Sequence, residues 1–348
     1  MRSINGCIAD IIKSKNIAIF SHMAPDADAL ASALALKKLI KYNIPNCEKI
    51  IDLFFDYEEL GDVNGAILKG VVHNYQRCHN YDLTIALDCA SLSRLGKWAD
   101  LYNKGKIKVN FDHHTTNENY ADNNMIVKTS STCEGLYLIA QAKGYVIPDD
   151  VCSLIYSGII TDTNNLTQGV ITTRTYKVIA EMMARNINLD ALNDHFFKNN
   201  TKSKAYLLKK ALDSLKFYNG DRIAMMRISK EALANCDATT EDTLGIVNHG
   251  LEIKGVDISI LALKQEDNSF YVSLRSRNGV NVANIATKMG GGGHEQVAAF
   301  QFVGTYNEMF DKLICVCKDE LSKHPHEQNI EDLFGGDDED FDSKKIHK

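Results

Sequence analysis

The sequence predicts an α/β protein with two domains: a first domain built on a mostly parallel sheet flanked by helices, and a smaller second α/β domain. Three observations support this fold class. Over the first half of the chain, short apolar runs with strand character alternate with helical patterns, which is the order found in parallel sheets. From about residue 216 the pattern changes to paired strands and short helices. The chain has 348 residues, which is enough for two domains.

The first domain is predicted to cover residues 1–190, and its elements follow from apolar periodicity. Its predicted strands are Ile17–Phe20, Lys49–Phe55, Asp82–Asp88 and Ile107–Phe111. Its predicted helices are Met1–Lys15, one whose helical pattern begins with Leu30, one that starts near Ser130, Val151–Ile160 and Thr175–Ala184. The Ser130 start is indicated by Ser and Thr residues that can cap a helix.

A linker helix region over 191–215 is predicted to lead into the second domain, which covers residues 216–321. The polar face of Lys202–Phe217 indicates a helix there. The predicted strands that follow are Arg222–Ile228, Asp257–Lys264, Ser269–Ser276 and Ala298–Val303, with the second and third forming a hairpin. The predicted helices are Thr239–Asn248, Asn281–Lys288 and Asn307–Leu321.

The charge distribution excludes one class of ligand. The net charge is −6, and the segment from Ser322 onward holds eight Asp and Glu residues against four Lys. This composition cannot form a core, so residues 322–348 are predicted to be an acidic disordered tail. The remaining chain is nearly neutral, whereas proteins that grip a long duplex are usually basic. A short anionic ligand remains compatible with the sequence.

Cysteine usage and hydropathy bear on the compartment. The nine Cys are scattered without a CxxC pair, which predicts reduced thiols rather than structural zinc. No signal-peptide core precedes Ile17, and no apolar run reaches membrane-spanning length. We expect a cytoplasmic protein without a membrane partner.

The segment after the first strand carries three potential metal ligands, His22, Asp26 and Asp28. Pro25 fixes one backbone angle and predicts an extended Ala24, so the loop is expected to be stiff. One Asp at this position can serve as a helix cap. Capping alone explains neither the second Asp nor the histidine.

Two further strands also end in acidic or His residues. Asp88 closes one, and Asp112-His113-His114 follows another. Because parallel strands end at the same edge of a sheet, we expect these groups to lie close together. Asp162 similarly closes the apolar helix that begins near Val151.

These side chains form a mixed oxygen and nitrogen ligand set without a thiolate. The six candidate ligands are His22, Asp26, Asp28, Asp88, His113 and Asp162. Such a set suits Mn²⁺, and less well Mg²⁺ or Fe²⁺. Six ligands are too many for one ion with an open position, but they fit two ions with one bridging carboxylate. Phosphoester hydrolysis is the natural reaction class for such a pair.

The second domain offers groups suited to a phosphate. Arg275 and Arg277 flank Ser276 at a strand end, and guanidinium groups contact phosphate in a bidentate manner. Gly291-Gly292-Gly293 gives a backbone that a ligand can approach closely, with His294 beside it.

These motifs occur in the order of those in the DHH/DHHA1 phosphoesterases, and the chain resembles this family over roughly residues 1–321. The matching motifs are His22-Met-Ala-Pro-Asp26-Ala-Asp28, Asp88, Asp112-His113-His114, Thr161-Asp162-Thr163 and Gly291-Gly-Gly-His294. The strongest resemblance is to short bacterial oligoribonucleases that also dephosphorylate 3′-phosphoadenosine 5′-phosphate. It implies an amino-terminal DHH domain, a carboxy-terminal DHHA1 domain and a cleft between them.

The resemblance also implies roles for individual residues. His22, Asp26 and Asp88 would hold one Mn²⁺, while Asp28, Asp88, His113 and Asp162 would hold the other. Asp112 would orient a neighbouring histidine, and His114 would face the scissile phosphate. Arg275, Ser276, Gly292, Gly293 and His294 would grip the far end of the nucleotide. Departures from the family pattern follow Asp162 and His294, on the substrate side.

Alternatives remain within and outside this class. The implied substrates are short RNA and nucleotides, but a cyclic or linear diadenylate would need the same chemistry. A non-catalytic nucleotide-binding module that recruits a partner through the acidic tail is the alternative of another class. A long-strand RecJ-like exonuclease is disfavoured by length and charge, and a family II pyrophosphatase by the loop at Gly291–His294. The resemblance also implies a homodimer that forms through the first domain.

Overall fold

The structure is a computed structural model that describes residues 4–44, 48–57, 62–265 and 268–324. The predicted acidic tail lies outside the described residues from position 325 onward. The described chain forms two compact units. The first contains the chain up to Asp213 together with Ile228–Ile246, and the second contains Ser214–Arg227 and the chain from Val247 onward.

A five-stranded sheet forms the centre of the first unit. Its strands are β1 (Asn16–Phe20), β2 (Ile50–Phe54), β3 (Leu83–Leu87), β4 (Ile107–Asp112) and β5 (Asn123–Ile126). They pair in the order β2-β1-β3-β4-β5, and all pairs are parallel. This confirms the predicted fold class. The edge strand β5 is not predicted, because its four residues begin with two asparagines and carry no apolar run.

Helices cover this sheet. They are α1 (Ile4–Lys13), α2 (Ala27–Asn43), α3 (Asp62–Gly65), α4 (Ala99–Asn103), α5 (Thr132–Ala142), α6 (Asp149–Asp162), α7 (Thr173–Met183), α8 (Leu189–Phe197) and α9 (Lys202–Asp213). Helix α2 packs against α5 and α6. Alanines at many buried positions of α2 allow this close packing from several sides. None of the helices in the described ranges has the length and apolar content that crossing a bilayer would require.

The register of the sheet explains why distant residues meet. Phe20, the last residue of β1, pairs with Ala86 near the end of β3. Leu87, the last residue of β3, pairs with Phe111 near the end of β4. The residues that directly follow these three strands therefore emerge side by side at one edge, as the sequence predicts.

A second sheet lies in the second unit. Its strands are β6 (Lys216–Tyr218), β7 (Ile223–Ile228), β8 (Ile258–Lys264), β9 (Ser269–Ser276), β10 (Gly292–Gly293) and β11 (Val297–Val303), in the order β10-β11-β9-β8-β7-β6. Strands β8 and β9 are antiparallel neighbours, which confirms the predicted hairpin. Helix α10 (Lys230–Asn235) belongs to the first unit, and the helices described in the second unit are α11 (Asn248–Leu251), α12 (Val282–Lys288) and α13 (Tyr306–Leu321).

Two predicted helices are wrong in whole or in part. The segment Thr239–Asn248 forms only a 3-10 turn at Glu241–Thr243 before α11 begins. The Asp242 carboxylate accepts the amide of Thr239 at the start of this turn, and Gly245 interrupts a longer helix with a φ of 82°. The helix predicted over Lys202–Phe217 ends at Asp213, and its last residues lie in β6.

Candidate metal centre

His22 lies in the loop after β1 and is 4% exposed. Its Nδ1–H donates to the Met23 carbonyl over 2.7 Å. A carbonyl only accepts, so Nδ1 carries a proton and Nε2 is the nitrogen that faces the carboxylates. Nε2 lies 3.7 Å from Asp26 Oδ2 and 3.7 Å from Asp88 Oδ2. The side chain is therefore oriented as a metal-binding imidazole requires.

The prediction of an extended Ala24 is wrong, because this residue has a φ of 48°. Two tertiary hydrogen bonds override the local preference before proline. The Ala24 amide donates to the Asp56 carbonyl over 2.8 Å, and the Met23 amide donates to the Arg94 carbonyl over 2.6 Å. The loop is held by its neighbours rather than by Pro25 alone.

The two aspartates of this segment face different partners. Asp26 caps α2 by accepting the Ala29 amide on Oδ1, which leaves Oδ2 toward His22. Asp28 is 1% exposed, and its two oxygens accept the amides of Thr132 and Cys133 over 2.8 and 3.1 Å. The segment thus supplies three candidate ligands with His22 included, and Asp26 serves as the helix cap as well.

Asp88 stands directly after β3 with a φ of 53°, a left-handed conformation that is rare outside glycine. This geometry points its two carboxylate oxygens at different histidines. Oδ2 lies 3.7 Å from His22 Nε2, and Oδ1 lies 3.4 Å from His113 Nε2. The hydroxyl of Thr132 donates to the same Oδ1 over 2.9 Å. Each oxygen of Asp88 thus faces a different histidine.

The three residues of the Asp112-His113-His114 segment face different partners. Asp112 is fully buried and accepts the Nδ1–H of His114 over 2.6 Å and the side-chain amide of Asn117 over 2.6 Å. His113 turns toward the cluster, where its Nε2 lies 3.3 Å from Asp162 Oδ2. Asp112 therefore supports His114, while His113 joins the acidic residues.

The structure brings all six predicted ligands into two groups, each with ligand atoms within 4.8 Å of one another. The groups are His22, Asp26 and Asp88, and Asp28, His113 and Asp162. A third group contains Asp88, Asp112, His113 and His114. The contact of Thr132 with Asp88 escapes prediction, because the Ser130-Ser131-Thr132 run indicates only a helix cap.

Burial and the neighbouring charges act in opposite directions on several groups of the site. It raises the pKa of Asp28 to about 7, and the charge of Asp88 adds to this effect. Burial and the charges of Asp28 and Asp88 also raise the pKa of Asp162 well above its usual value, although His113 opposes this. For His22, burial lowers the pKa, but hydrogen bonds to Asp26 and Asp88 outweigh it and raise the pKa to about 10.

This pattern fits a site for divalent cations. Within the described ranges, the ion-pair partners of Asp88 and Asp162 are histidines rather than Lys or Arg. Buried carboxylates require a compensating positive charge, and here protons supply it on neighbouring groups. The donors are carboxylate oxygens and imidazole nitrogens, which suit Mn²⁺ and Mg²⁺. A cation could replace these protons.

The residues predicted to bind substrate lie in the second unit, around β9 and β11. Arg275 pairs with Val297, and the His294 amide donates to the Val297 carbonyl over 2.7 Å. Burial lowers the pKa of Arg275 to about 10, so its guanidinium stays charged at neutral pH. The Ser276 hydroxyl donates to the Val280 carbonyl, which commits its proton within the fold.

The glycine loop before His294 is shaped by close backbone approach. Gly292 is exposed and a side chain there would meet open space. Gly293 has a φ of 145°, and a Cβ there would collide with the Val297 carbonyl. Position 293 therefore requires glycine for steric reasons. The presence of glycine there is explained by the fold without a bound ligand.

Comparison with protein families agrees with this geometry. A model of the DHH family, N-terminal domain, matches residues 16–159, and a model of the DHHA1 domain matches residues 221–323. The chain belongs to the DHH/DHHA1 family. It is thus an enzyme of the hydrolase class, a DHH phosphoesterase. The predicted resemblance is confirmed.

Individual relatives cover nearly the whole chain. It is 24% identical over 326 residues to the bifunctional oligoribonuclease and PAP phosphatase NrnA of Thermus thermophilus, covering 91% of this chain and 94% of that protein. It is 27% identical over 306 residues to a protein of Streptococcus mutans named probable bifunctional oligoribonuclease and PAP phosphatase NrnA, covering 84% of this chain and 92% of that protein. An exopolyphosphatase-related protein from Bacteroides fragilis shares the DHH/DHHA1 fold, with a TM-score of 0.79, 24% identity, and coverage of 92% and 95%.

Proposed function

We propose that the protein is a Mn²⁺-dependent phosphoesterase that hydrolyses short oligoribonucleotides, 3′-phosphoadenosine 5′-phosphate, or both. The observation that carries the proposal is the position of Asp88, whose two oxygens face two separate groups of candidate ligands. A shared carboxylate is what a two-ion site needs. The relatives named for oligoribonuclease and PAP phosphatase activity support the choice of substrate.

In this proposal the residues 1–190 form the catalytic metal-binding domain. His22, Asp26 and Asp88 hold one ion, while Asp28, Asp88, His113 and Asp162 hold the other. Divalent cations at such a site lower the pKa of water and stabilise the charge that develops on a transferring phosphoryl group. Mg²⁺ is the second choice, because it prefers fewer protein ligands than this site offers.

His114 acts in this proposal through Nε2, the imidazole nitrogen on the side away from Asp112. The Asp112 carboxylate accepts its Nδ1–H over 2.6 Å, which fixes the tautomer and the ring. Asp112 can also stabilise a positively charged ring. His114 is therefore suited to donate a hydrogen bond or a proton to an oxygen of the scissile phosphate.

The second unit supplies substrate binding in this proposal, through residues 216–321. Arg275 is the principal contact, because its charged guanidinium can bind a phosphate in a bidentate manner. Gly292 and Gly293 offer exposed backbone, and His294 stands beside them. Ser276 contributes by holding the turn through its bond to Val280.

A hydrolysis panel with Mn²⁺ tests the proposal. It compares 3′-phosphoadenosine 5′-phosphate, an RNA of two to five nucleotides, linear and cyclic diadenylate, and pyrophosphate. We expect turnover of the first two. A preference for a diadenylate would support the same mechanism with a different substrate. If the metal-loaded protein hydrolyses none of these compounds, the result would favour a non-catalytic binding module.

The variant Asp88→Ala tests the metal site itself. We expect hydrolysis to be lost, because both groups of ligands lose their shared member. Asp100→Ala is the matched control, since Asp100 is an exposed aspartate of the same unit on α4. An Asp88→Ala variant that hydrolyses RNA at the rate of the control would refute the two-ion mechanism.

A further inference from the structure

Thr132 touches two candidate ligands that come from different parts of the chain. It is fully buried at the start of α5. Its hydroxyl donates to Asp88 Oδ1 over 2.9 Å, and its backbone amide donates to Asp28 Oδ2 over 2.8 Å. One residue therefore contacts the carboxylate after β3 and the carboxylate at the start of α2.

The hydroxyl of Thr132 is not needed to cap its own helix. Ser131 is the cap, and its side chain accepts the Glu134 amide over 3.0 Å. The first two amides of α5, those of Thr132 and Cys133, go to Asp28. These backbone amides at the start of the helix therefore have partners without the Thr132 hydroxyl. The hydroxyl donates its hydrogen bond to Asp88 instead.

The bond to Asp88 falls on the oxygen where orientation matters. Asp88 Oδ1 also lies 3.4 Å from His113 Nε2, on the side of the second ligand group. A hydroxyl that donates to this oxygen fixes the rotation of the carboxylate, so that Oδ2 stays toward His22. Asp88 itself is only 2% exposed, so the loss of this donor would leave a buried oxygen without its hydroxyl partner.

We propose that Thr132 is a positioning residue that holds Asp88 and Asp28 in the arrangement that two cations require. The inference deepens the proposed function and rests on it. Losing the hydroxyl frees the carboxylate of Asp88 to rotate, and partners of metal ligands typically contribute 10- to 100-fold to metal affinity. The main effect would fall on the ion that Asp28, Asp88, His113 and Asp162 would hold, because Asp88 Oδ1 faces His113.

The test measures Mn²⁺ binding rather than turnover. Titration calorimetry gives the number and affinity of bound ions, and electron paramagnetic resonance detects magnetic coupling between two ions. Thr132→Val removes the hydroxyl with little change of shape and keeps the amide, while Thr132→Ser keeps both. Ser130→Ala is the matched control, because the buried Ser130 hydroxyl has no hydrogen-bond partner among the described residues.

We expect wild type, Thr132→Ser and Ser130→Ala to bind two Mn²⁺ per chain with a coupled signal. Thr132→Val is expected to bind the second ion about 10- to 100-fold more weakly and to lose the coupling at stoichiometric Mn²⁺. Should Thr132→Val fail to fold, the smaller Thr132→Ala gives the same measurement. Circular dichroism and thermal melting establish the folded state of each variant.

The outcomes separate the two proposals. Wild-type protein that binds fewer than two ions would refute the two-ion site, and with it the basis for this role. Wild-type protein that binds two ions, with Thr132→Val binding both at unchanged affinity, would overturn only the role of Thr132. An equal loss in Ser130→Ala would also overturn it, because the effect would then belong to the loop.

Discussion

Asp112 is the buried charge on which His114 depends. It exposes none of its surface and accepts the Nδ1–H of His114, the amide of His113 and the side-chain amide of Asn117. The hydrogen bond and charge of His114 keep the pKa of Asp112 below its usual value in spite of burial, which opposes ionisation. An ionised carboxylate is therefore the form that holds this network together.

Asp112→Asn keeps the shape but removes an acceptor and the charge. Because an amide nitrogen must then face one of the existing donors, we expect the free energy of unfolding to fall by about 1–3 kcal/mol. We also expect kcat to fall about 10- to 100-fold, since His114 loses the negative charge that would stabilise its protonated ring. Denaturant melts and initial rates at saturating substrate measure the two effects.

The control for this variant is Asn117→Asp at the far side of the same carboxylate, which removes a donor without touching His114. It is expected to cost stability through repulsion with Asp112 while the direct His114 bond survives. Equal losses of kcat in both variants, each corrected for the folded fraction, would contradict a specific role of Asp112 toward His114.

The chemistry of individual ligands is predictable from the sequence, but their backbone geometry is not. His22, Asp88 and His113 are identifiable because each follows an apolar strand, and strand ends share an edge. The left-handed φ of Asp88 and of Ala24 arises from contacts with residues far along the chain. The same holds for Thr132, whose partners lie 44 and 104 positions away.

Helix α6 approaches the metal centre so closely that only glycine fits at one position. A Cβ at Gly158 would overlap Asp28 Oδ1 and Cys133 Sγ. Gly158 lies one turn before Asp162, the candidate ligand at the end of the same helix. The packing of α6 against α2 and α5 therefore brings Asp28 and Asp162 close to Gly158 and its helix.

Gly158→Ala is expected to push the Asp28 carboxylate away from the amides of α5. We expect the second Mn²⁺ to bind about 10- to 100-fold more weakly, with a loss of stability of about 1–3 kcal/mol from overpacking. Calorimetric titration with Mn²⁺ and thermal melting measure these changes independently.

A matched variant isolates the metal effect from the packing effect. Gly135 on α5 is also crowded, but a Cβ there would meet only the apolar atoms of Phe111 and Val127, each at 2.8 Å. Gly135→Ala should therefore destabilise the fold and leave the affinity for Mn²⁺ unchanged. Similar Mn²⁺ affinities in both variants would show that Gly158 does not act on Asp28.

At the scale of elements, prediction succeeds where periodicity is strong and fails where side chains compete with the backbone. The hairpin β8–β9 is predicted correctly because apolar and polar residues alternate along β9, where every other residue is buried. The false helix at Thr239–Asn248 contains Asp242, which also accepts a bond from Thr201 over 2.6 Å. Such tertiary bonds to a short polar side chain leave no periodic trace in the sequence.

At the scale of the whole molecule, the division into two units is visible in the separate cores. One core gathers residues of α1, α2, α5 and α6 on the parallel sheet, and another gathers β8, β9, α12 and α13. The change of strand pattern near residue 216 predicts two domains for this reason. The sequence does not predict the exact boundary between the units. The chain enters the second unit at Ser214, returns to the first for Ile228–Ile246, and then enters the second again.

The proposed division of labour between the units makes a whole-molecule prediction. Arg275 lies in the second unit, whereas the candidate metal ligands lie in the first. Arg275→Gln removes the guanidinium charge, and a hydrogen bond to a charged group is worth about 1.5–3 kcal/mol. We expect KM for 3′-phosphoadenosine 5′-phosphate or short RNA to rise roughly 10- to 100-fold, with two Mn²⁺ still bound per chain.

Arg227→Gln provides the control, because Arg227 is an exposed arginine of the same unit whose guanidinium lies 5.5 Å from the centre of the Tyr306 ring. It removes the same charge without altering the group proposed to meet the phosphate, so KM should stay near the wild-type value. A rise of KM in both variants would point to general electrostatic attraction. A loss of Mn²⁺ in Arg275→Gln would contradict the separation of metal binding from substrate binding, because a guanidinium in the second unit would then support ligands in the first.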